Sequence, residues 1–185
     1  GDSITSGNFN TLMGYQAGQA ISGGSAIVLI GYQCGLNNSS DTTTGIGTES
    51  LKFLTTGTSN TAIGYQASAF NAGGNNNTAL GYQALLGVTL NDHSNNTAIG
   101  KSALASVTTG SNNTGVGFNV LASITSGQLN TAVGAEALDS CNIGSNNVAI
   151  GQQSMTTSTS ASNNTSIGYD SMTLLESGGE NVAVF

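Results

Sequence analysis

The amino-acid sequence predicts an all-β protein, a parallel β-solenoid (β-roll) of about eleven coils of 17 residues, in a single domain over residues 1–185. The first observation is a glycine that recurs at steps of 17, 16, 17, 17, 19, 17, 17, 17 and 17 residues. The second is a fixed order of residue types around that glycine, plainest in the phrase Asn-Thr-Ala-Ile-Gly-Tyr-Gln-Ala at residues 60–67. The glycine row comprises Gly14, Gly31, Gly47, Gly64, Gly81, Gly100, Gly117, Gly134, Gly151 and Gly168.

Each repeat is predicted to form one coil of short strands. Seventeen residues are too few for a pair of helices, and the phrase alternates with period two between turn-forming Gly, Asn and Ser residues. Backbone groups of one coil would bond to the coils above and below, about 4.8 Å away, so eleven coils would stack to about 50 Å. Neither end of the sequence carries an obvious cap, so we expect a segment of a longer fibre.

Two rows before the glycine are predicted to face the core. The residue directly before it is aliphatic in every repeat, and the residue two positions earlier is Thr or Val, which strands prefer. Because both share one parity along a strand, we expect both to point inward. The aliphatic row comprises Met13, Ile30, Ile46, Ile63, Leu80, Ile99, Val116, Val133, Ile150, Ile167 and Val184. The threonine row comprises Thr11, Val28, Thr44, Thr61, Thr78, Thr97, Thr114, Thr131, Val148, Thr165 and Val182.

A row of mostly Ala and Gly lies between these two. Alternation places it with the glycine row on the opposite face of the strand. A face without bulk suits a closely packed neighbour, so we expect a contact surface there. This small-residue row comprises Leu12, Leu29, Gly45, Ala62, Ala79, Ala98, Gly115, Ala132, Ala149, Ser166 and Ala183.

Asparagine stands four residues before the glycine in nine of eleven repeats. Stacked amides can bond from coil to coil, and Asn also tolerates the left-handed conformation of a corner. We therefore predict an asparagine ladder whose main members are Asn60, Asn77, Asn96, Asn113, Asn130, Asn147 and Asn164.

Two further rows follow the glycine. The next position, the aromatic row, holds all five tyrosines, and these could stack on sugars or simply pack. The position four residues after the glycine is often Leu or Met and is predicted to form a second core row. This leucine row comprises Leu51, Leu85, Leu104, Leu121, Leu138, Met155 and Met172.

Composition excludes several classes of partner. Charged residues make up 6% of the chain, the net charge is −7, and Lys52 and Lys101 are the only permanent cations. A nucleic-acid-binding protein needs several basic phosphate contacts, and binding to anionic membranes needs clustered cations, so we expect neither. No apolar run approaches the roughly 20 residues of a membrane span.

The sequence offers little support for an enzyme. Glu136 and Asp170 occupy the same position two coils apart, at a separation that could suit a glycosidase. That position is mostly Gln, as in Gln16, Gln66 and Gln153, so ordinary hydrogen bonding is the better interpretation. We expect no catalytic, cofactor or metal site.

The largest break in the repeat is a two-residue insertion near His93, the only histidine. Inserted loops on solenoids often bind partners, so we predict a contact loop at Val88, Leu90, Asp92 and His93. Without further ligands nearby in the repeat, His93 is expected to be a solvent-exposed loop residue.

The Ala-Ile-Gly core resembles the head repeats of YadA-type trimeric autotransporter adhesins, and similar repeats occur in phage and viral tail-fibre proteins. The core is plainest at Ala62-Ile63-Gly64, Ala98-Ile99-Gly100 and Ala149-Ile150-Gly151, and the likeness covers residues 10–184. It implies a left-handed roll, a side-by-side homotrimer, and attachment to a host-surface glycan or protein, at an extracellular or virion surface. The longer period and the Tyr-Gln pair depart from the adhesin pattern and favour a viral or phage fibre.

Two other functions stay open. A self-assembling extracellular filament would use the same small-residue face. An ice-binding solenoid is suggested by the threonine row and the low charge, but it needs those threonines in solvent, whereas their shared parity with the aliphatic row predicts that they point inward.

Overall fold

The computed structural model describes residues 4–88 and 92–185, so Leu90 of the predicted contact loop lies outside the described residues. The described residues form eleven strands of three residues in one parallel sheet, in the order of the sequence. These strands are β1 (Thr11–Met13), β2 (Val28–Ile30), β3 (Thr44–Ile46), β4 (Thr61–Ile63), β5 (Thr78–Leu80), β6 (Thr97–Ile99), β7 (Thr114–Val116), β8 (Thr131–Val133), β9 (Val148–Ile150), β10 (Thr165–Ile167) and β11 (Val182–Val184).

Every strand pairs with its neighbour in the register that the repeat predicts. Thr61 pairs with Thr78 and Ile63 with Leu80, and the same positions pair in the coils above and below. Equivalent residues therefore stack in straight rows along the solenoid. The prediction of an all-β parallel solenoid with one coil per repeat is confirmed.

The corners of a coil use left-handed backbone at residues other than glycine. In one coil, Asn76, Gln83 and Leu85 have φ angles of 57°, 54° and 53°, and equivalent residues do the same in neighbouring coils. This conformation is costly for a leucine. It persists because backbone bonds to the next coil fix each corner, as in the 2.8 Å bond that the nitrogen of Leu85 donates to the carbonyl of Ala103.

The prediction of which strand face points inward was wrong. The small-residue row is inside the coil: Ala62 and Ala98 are 0% exposed, and Ala79 is 1% exposed. The aliphatic row lies outside, with Ile63 at 36% and Leu80 at 45%, and the threonine row shares its face. No residue of the aliphatic row is buried; its central members are Ile30, Ile46, Ile63, Leu80, Ile99, Val116, Val133, Ile150 and Ile167.

The space inside the coil explains this reversal. The leucine row projects from the far wall of the coil towards the strand, and its residues from Leu51 to Met155 are fully buried, which confirms the second core row; Met172 is half-buried. A Cβ atom added at Gly115 would lie 2.4 Å from Cδ1 of Leu104. Only a small side chain fits on the inner face of the strand, so the bulky residues of the strand face out.

The first two coils reverse the arrangement, with Leu12 and Gly18 in the first and Leu29 and Gly35 in the second. Leu29 of the small-residue row is buried, and the position opposite is Gly35, where an added Cβ atom would lie 2.5 Å from Cδ1 of Leu29. Gly35 has a φ of 55°, close to the 53° of Leu51 at the same position one coil later. The two positions therefore share one volume, filled by a large side chain from one wall or from the other.

The asparagine side chains bond from coil to coil inside the solenoid. The backbone nitrogen of Asn113 donates to Oδ1 of Asn96 at 2.9 Å, and the Nδ2 of Asn113 donates to the carbonyl of Gly127 at 2.9 Å. The ladder members Asn60, Asn77, Asn96, Asn113, Asn130, Asn147 and Asn164 are all buried. Ile27 and Thr43 interrupt the row in the second and third coils, where both are buried too.

Candidate interaction face

The outward side of the sheet is an uncharged surface that follows β1 to β11. We call it the strand face and define it as the threonine row together with the aliphatic row. None of its residues carries a charge. Ile63, Leu80 and Ile150 are 36%, 45% and 40% exposed, which is high for aliphatic side chains arranged in one continuous line.

The aromatic row borders the strand face. Tyr15 and Tyr32 stack with ring centroids 5.5 Å apart, and Tyr65 and Tyr82 stack at 5.2 Å. Each stacked pair therefore covers one face of each of its two rings.

Lys101 takes an aromatic position in this row. Its Nζ atom lies 5.9 Å from the ring centroid of Tyr82 and 5.6 Å from that of Phe118. These two cation–π contacts place one positive charge at the border of the strand face. The other lysine, Lys52, bonds to Glu49 at 2.6 Å.

A row of amides and carboxylates follows the aromatic row. The Nε2 of Gln83 donates to Gln66 at 2.9 Å, and the Nε2 of Gln66 donates to Glu49 at 2.8 Å. Lys52 and then Gln66 hold the pKa of Glu49 below its usual value by hydrogen bonding. The side chains of this row thus hydrogen-bond to one another from coil to coil, as predicted for a row that is mostly Gln.

The carboxylates of Glu136 and Asp170 lie in this row with Gln153 between them. The Nε2 of Gln153 donates to Oε2 of Glu136 at 3.0 Å. Gln153 thus occupies the coil where a substrate would have to sit between the two carboxylates. Among the described residues, no group of three His, Cys, Asp or Glu side chains has the arrangement of a metal site.

The described residues of the predicted contact loop differ in exposure: two are exposed and one is buried. Val88 is exposed, and exposed Asp92 accepts a 2.7 Å hydrogen bond from the backbone nitrogen of Gly73. The expectation that His93 is exposed was wrong, because its side chain is fully buried. Burial lowers the pKa of His93 to about 4.

Both cysteines are free and buried. Burial raises the pKa of Cys34 to about 12 and that of Cys141 to about 11. Both thiols therefore belong to the core and not to the candidate face.

The strand face was missed as a binding surface because its rows were expected inside. A signal for the correct orientation was present in the sequence: Leu29 pairs with Gly35, whereas Gly45 pairs with Leu51, six residues apart in each case. Such an exchange of large and small residues is typical of two positions that share one interior volume.

Comparison with protein-family models, curated proteins and solved structures found no match to this chain. In the part of the chain that the structure describes, no helix has the length and apolarity to cross a membrane.

Proposed function

We propose that this chain is a structural and attachment module of a viral or phage fibre or of a trimeric adhesin, at an extracellular or virion surface. In this proposal three copies lie side by side as left-handed rolls and pack through their strand faces. The observation that carries it is the continuous outward row of aliphatic side chains. The number of copies and the handedness rest on the resemblance of the Ala-Ile-Gly core to adhesin repeats.

The proposed occupant of the strand face is a second copy of the chain. The face is about 50 Å long, and with the aromatic row it is about 14 Å wide, giving roughly 700 Å² of projected area per copy. Stable interfaces bury about 800 Å² per partner, so the face is of the right size. An identical copy would supply a surface that is equally long, uncharged and regularly spaced.

Light scattering on a size-exclusion column tests the assembly. The wild type is expected to have the mass of three 18.3 kDa chains, and an Ile63→Lys/Val133→Lys variant to be a folded monomer. The matched control is Thr56→Lys/Ser126→Lys, which adds the same charges in the same coils at exposed sites seven residues earlier. It should stay trimeric. A monomeric wild type, or a trimer that tolerates lysines on the strand face, would refute this proposal.

The attachment role concerns the surface left free in such a trimer. Val88, exposed beside the two-residue insertion, is the proposed contact with a host glycan or protein. Screening the assembled protein on glycan arrays and on host cells, with Val88→Asp as the comparison, tests this role. We expect the substitution to weaken binding tenfold or more without changing the mass; equal binding by both proteins would refute the contact.

Ice binding is a second candidate because the threonine row points outward. Thr44, Thr61, Thr78 and Thr97 stand in register on consecutive strands, as an ice-binding array requires. This function needs a monomer with a free strand face. A monomeric wild type that inhibits ice recrystallisation, and loses this activity in Thr78→Lys, would favour it over the fibre. A self-assembling filament would instead give masses that increase with concentration.

A further inference from the structure

His93 stands where neighbouring coils have glycine. The equivalent residues are Gly57, Gly74, Gly110 and Gly127, each seven residues before a member of the glycine row. These positions are crowded by backbone: a Cβ atom added at Gly74 would lie 1.9 Å from the carbonyl oxygen of His93. A histidine is accommodated in this row in the one coil of 19 residues, two more than the usual 17.

The imidazole takes the place of a missing core side chain. Seven residues after the glycine, other coils bury a side chain such as Leu54, Val107 or Ile124. The corresponding residue of the long coil, Val88, is exposed instead. A Cβ atom added at Gly87 would lie 3.7 Å from Nε2 of His93, so the ring reaches the region that Val88 leaves empty.

The ring nitrogens of His93 have no hydrogen-bond partner in the part of the chain that the structure describes. Both Nδ1 and Nε2 are buried without a hydrogen-bond partner among the described residues. The coil before supplies Phe70, Asn71 and Gly74 to this region, and the coil after supplies Val107; none of these can ionise. Among the described groups, the only charge that acts on the ring is that of Asp92, whose side chain is exposed and bonded to Gly73.

Such a site accepts neutral imidazole and opposes the charged form. A buried cation without hydrogen bonds is strongly unfavourable, whereas an imidazolium in water is fully solvated. Burial therefore lowers the pKa of His93 to about 4, and the backbone of His93 itself and then Asp92 oppose this shift only in part. Since the reference pKa of histidine is about 6.5, stability is full above pH 6.5 and is lost progressively as the pH falls towards 4.

We propose that His93 makes its coil an acid-sensitive opening point in an otherwise uniform solenoid. When the coil opens transiently below neutral pH, the His93 ring enters solvent and one of its nitrogens binds a proton. The charged ring then stays in water. The coil then opens locally, because the region between Phe70 and Val107 is left without a filling side chain. Coils with glycine at this position contain no such group and stay closed.

Two measurements on the wild-type protein test the proposal. Because His93 is the only histidine, one imidazole NMR signal reports its titration directly, and we expect an apparent pKa well below 6.5. Hydrogen exchange, corrected for the intrinsic pH dependence, should show the opening constant of residues 84–110 rising about 20-fold between pH 7 and pH 5. A segment of regular coils, residues 114–133, should not change by the same factor.

A His93→Leu variant is the matched control, since leucine fills the space and does not titrate. Its residues 84–110 should show no selective response to acid. If this variant fails to fold, His93→Gln serves the same purpose. An apparent histidine pKa of 6 or above, protection of residues 84–110 that persists at pH 5, or an equal acid response in a folded variant would overturn the proposal.

Discussion

Asn130 donates two hydrogen bonds to Oδ1 of Asn113, one from its backbone nitrogen and one from Nδ2, each at 3.0 Å. One oxygen atom thus satisfies both a main-chain and a side-chain donor of the next coil. Asn113 makes the corresponding backbone bond to Asn96, so the amides form a continuous buried network. Each member satisfies polar groups of two neighbouring coils.

Removing one ladder member should be costly. Asn113→Ala would leave the backbone nitrogen of Asn130 and the carbonyl of Gly127 buried without these partners. We expect the free energy of unfolding to fall by about 2–4 kcal/mol, measured by urea denaturation. The control is Asn112→Asp, at the adjacent exposed corner, where a left-handed conformation suits Asp as well as Asn. A loss below about 0.5 kcal/mol for Asn113→Ala would contradict a buried ladder.

Exchanging the two residues that share one interior volume should restore stability. Leu29→Ala alone leaves a cavity and should cost about 2–5 kcal/mol. Gly35→Leu alone places a second large side chain against Leu29 and should also destabilise.

The double variant should recover most of the loss, because it reproduces the Ala79 and Leu85 arrangement of a later coil. Thermal and urea denaturation of all four proteins gives the interaction energy as a double-mutant cycle. Additive losses would show that the two positions do not share a volume.

The glycine row should not tolerate a side chain. Gly134 has a φ of 136°, and an added Cβ atom would lie 2.4 Å from the carbonyl oxygen of Gly151. Gly134→Ala should therefore lower the free energy of unfolding by about 2–4 kcal/mol.

Gly115→Ala is the matched control for this substitution. Its added Cβ atom meets the Leu104 side chain rather than backbone, and Ala is already found at this position in neighbouring coils. Stability measured by denaturation should change little. Equal losses for the two variants would mean that the close approach of the coil backbones does not limit this row.

The two cysteines should react only when the fold opens. Because burial raises the pKa of Cys34 to about 12 and that of Cys141 to about 11, almost no thiolate is present at pH 8 in the folded protein. Labelling with a thiol-specific reagent at pH 8 should be slow without denaturant and should reach both thiols in urea. Rapid labelling of the native protein would place a thiol at the surface.

The sequence was sufficient for the fold class because a spacing of 17 residues and β-branched alternation leave few other arrangements. The orientation of the strand was predicted wrongly because alternation separates two faces without saying which is inside. Hydrophobicity favoured Ile63 over Ala62, but the interior beside the strand is already filled by the leucine row. The space available inside the coil decides between the two faces. That space can be judged only when the leucine row on the far wall of the coil is taken into account.

The site at His93 was beyond sequence reasoning for a different reason. A segment with an insertion followed by His93 has the composition of an exposed loop. His93 is buried because Val88 points outward and leaves an interior position empty. The repeat pattern does not predict that His93 replaces Val88 in the core.

The straight rows also determine how the gene for such a protein can change. Each strand contacts only the strands directly before and after it in the sheet, and every coil presents the same rows of residues to the next coil. Loss of residues 118–134 by recombination between repeats would join Gly117 to Ala135 and pair Thr114 with Val148, in the place of Thr131. Whole coils can therefore be lost or duplicated without creating a new kind of contact. Recombination between repeats can therefore change the length of the solenoid in steps of about 4.8 Å, one step for each coil lost or gained.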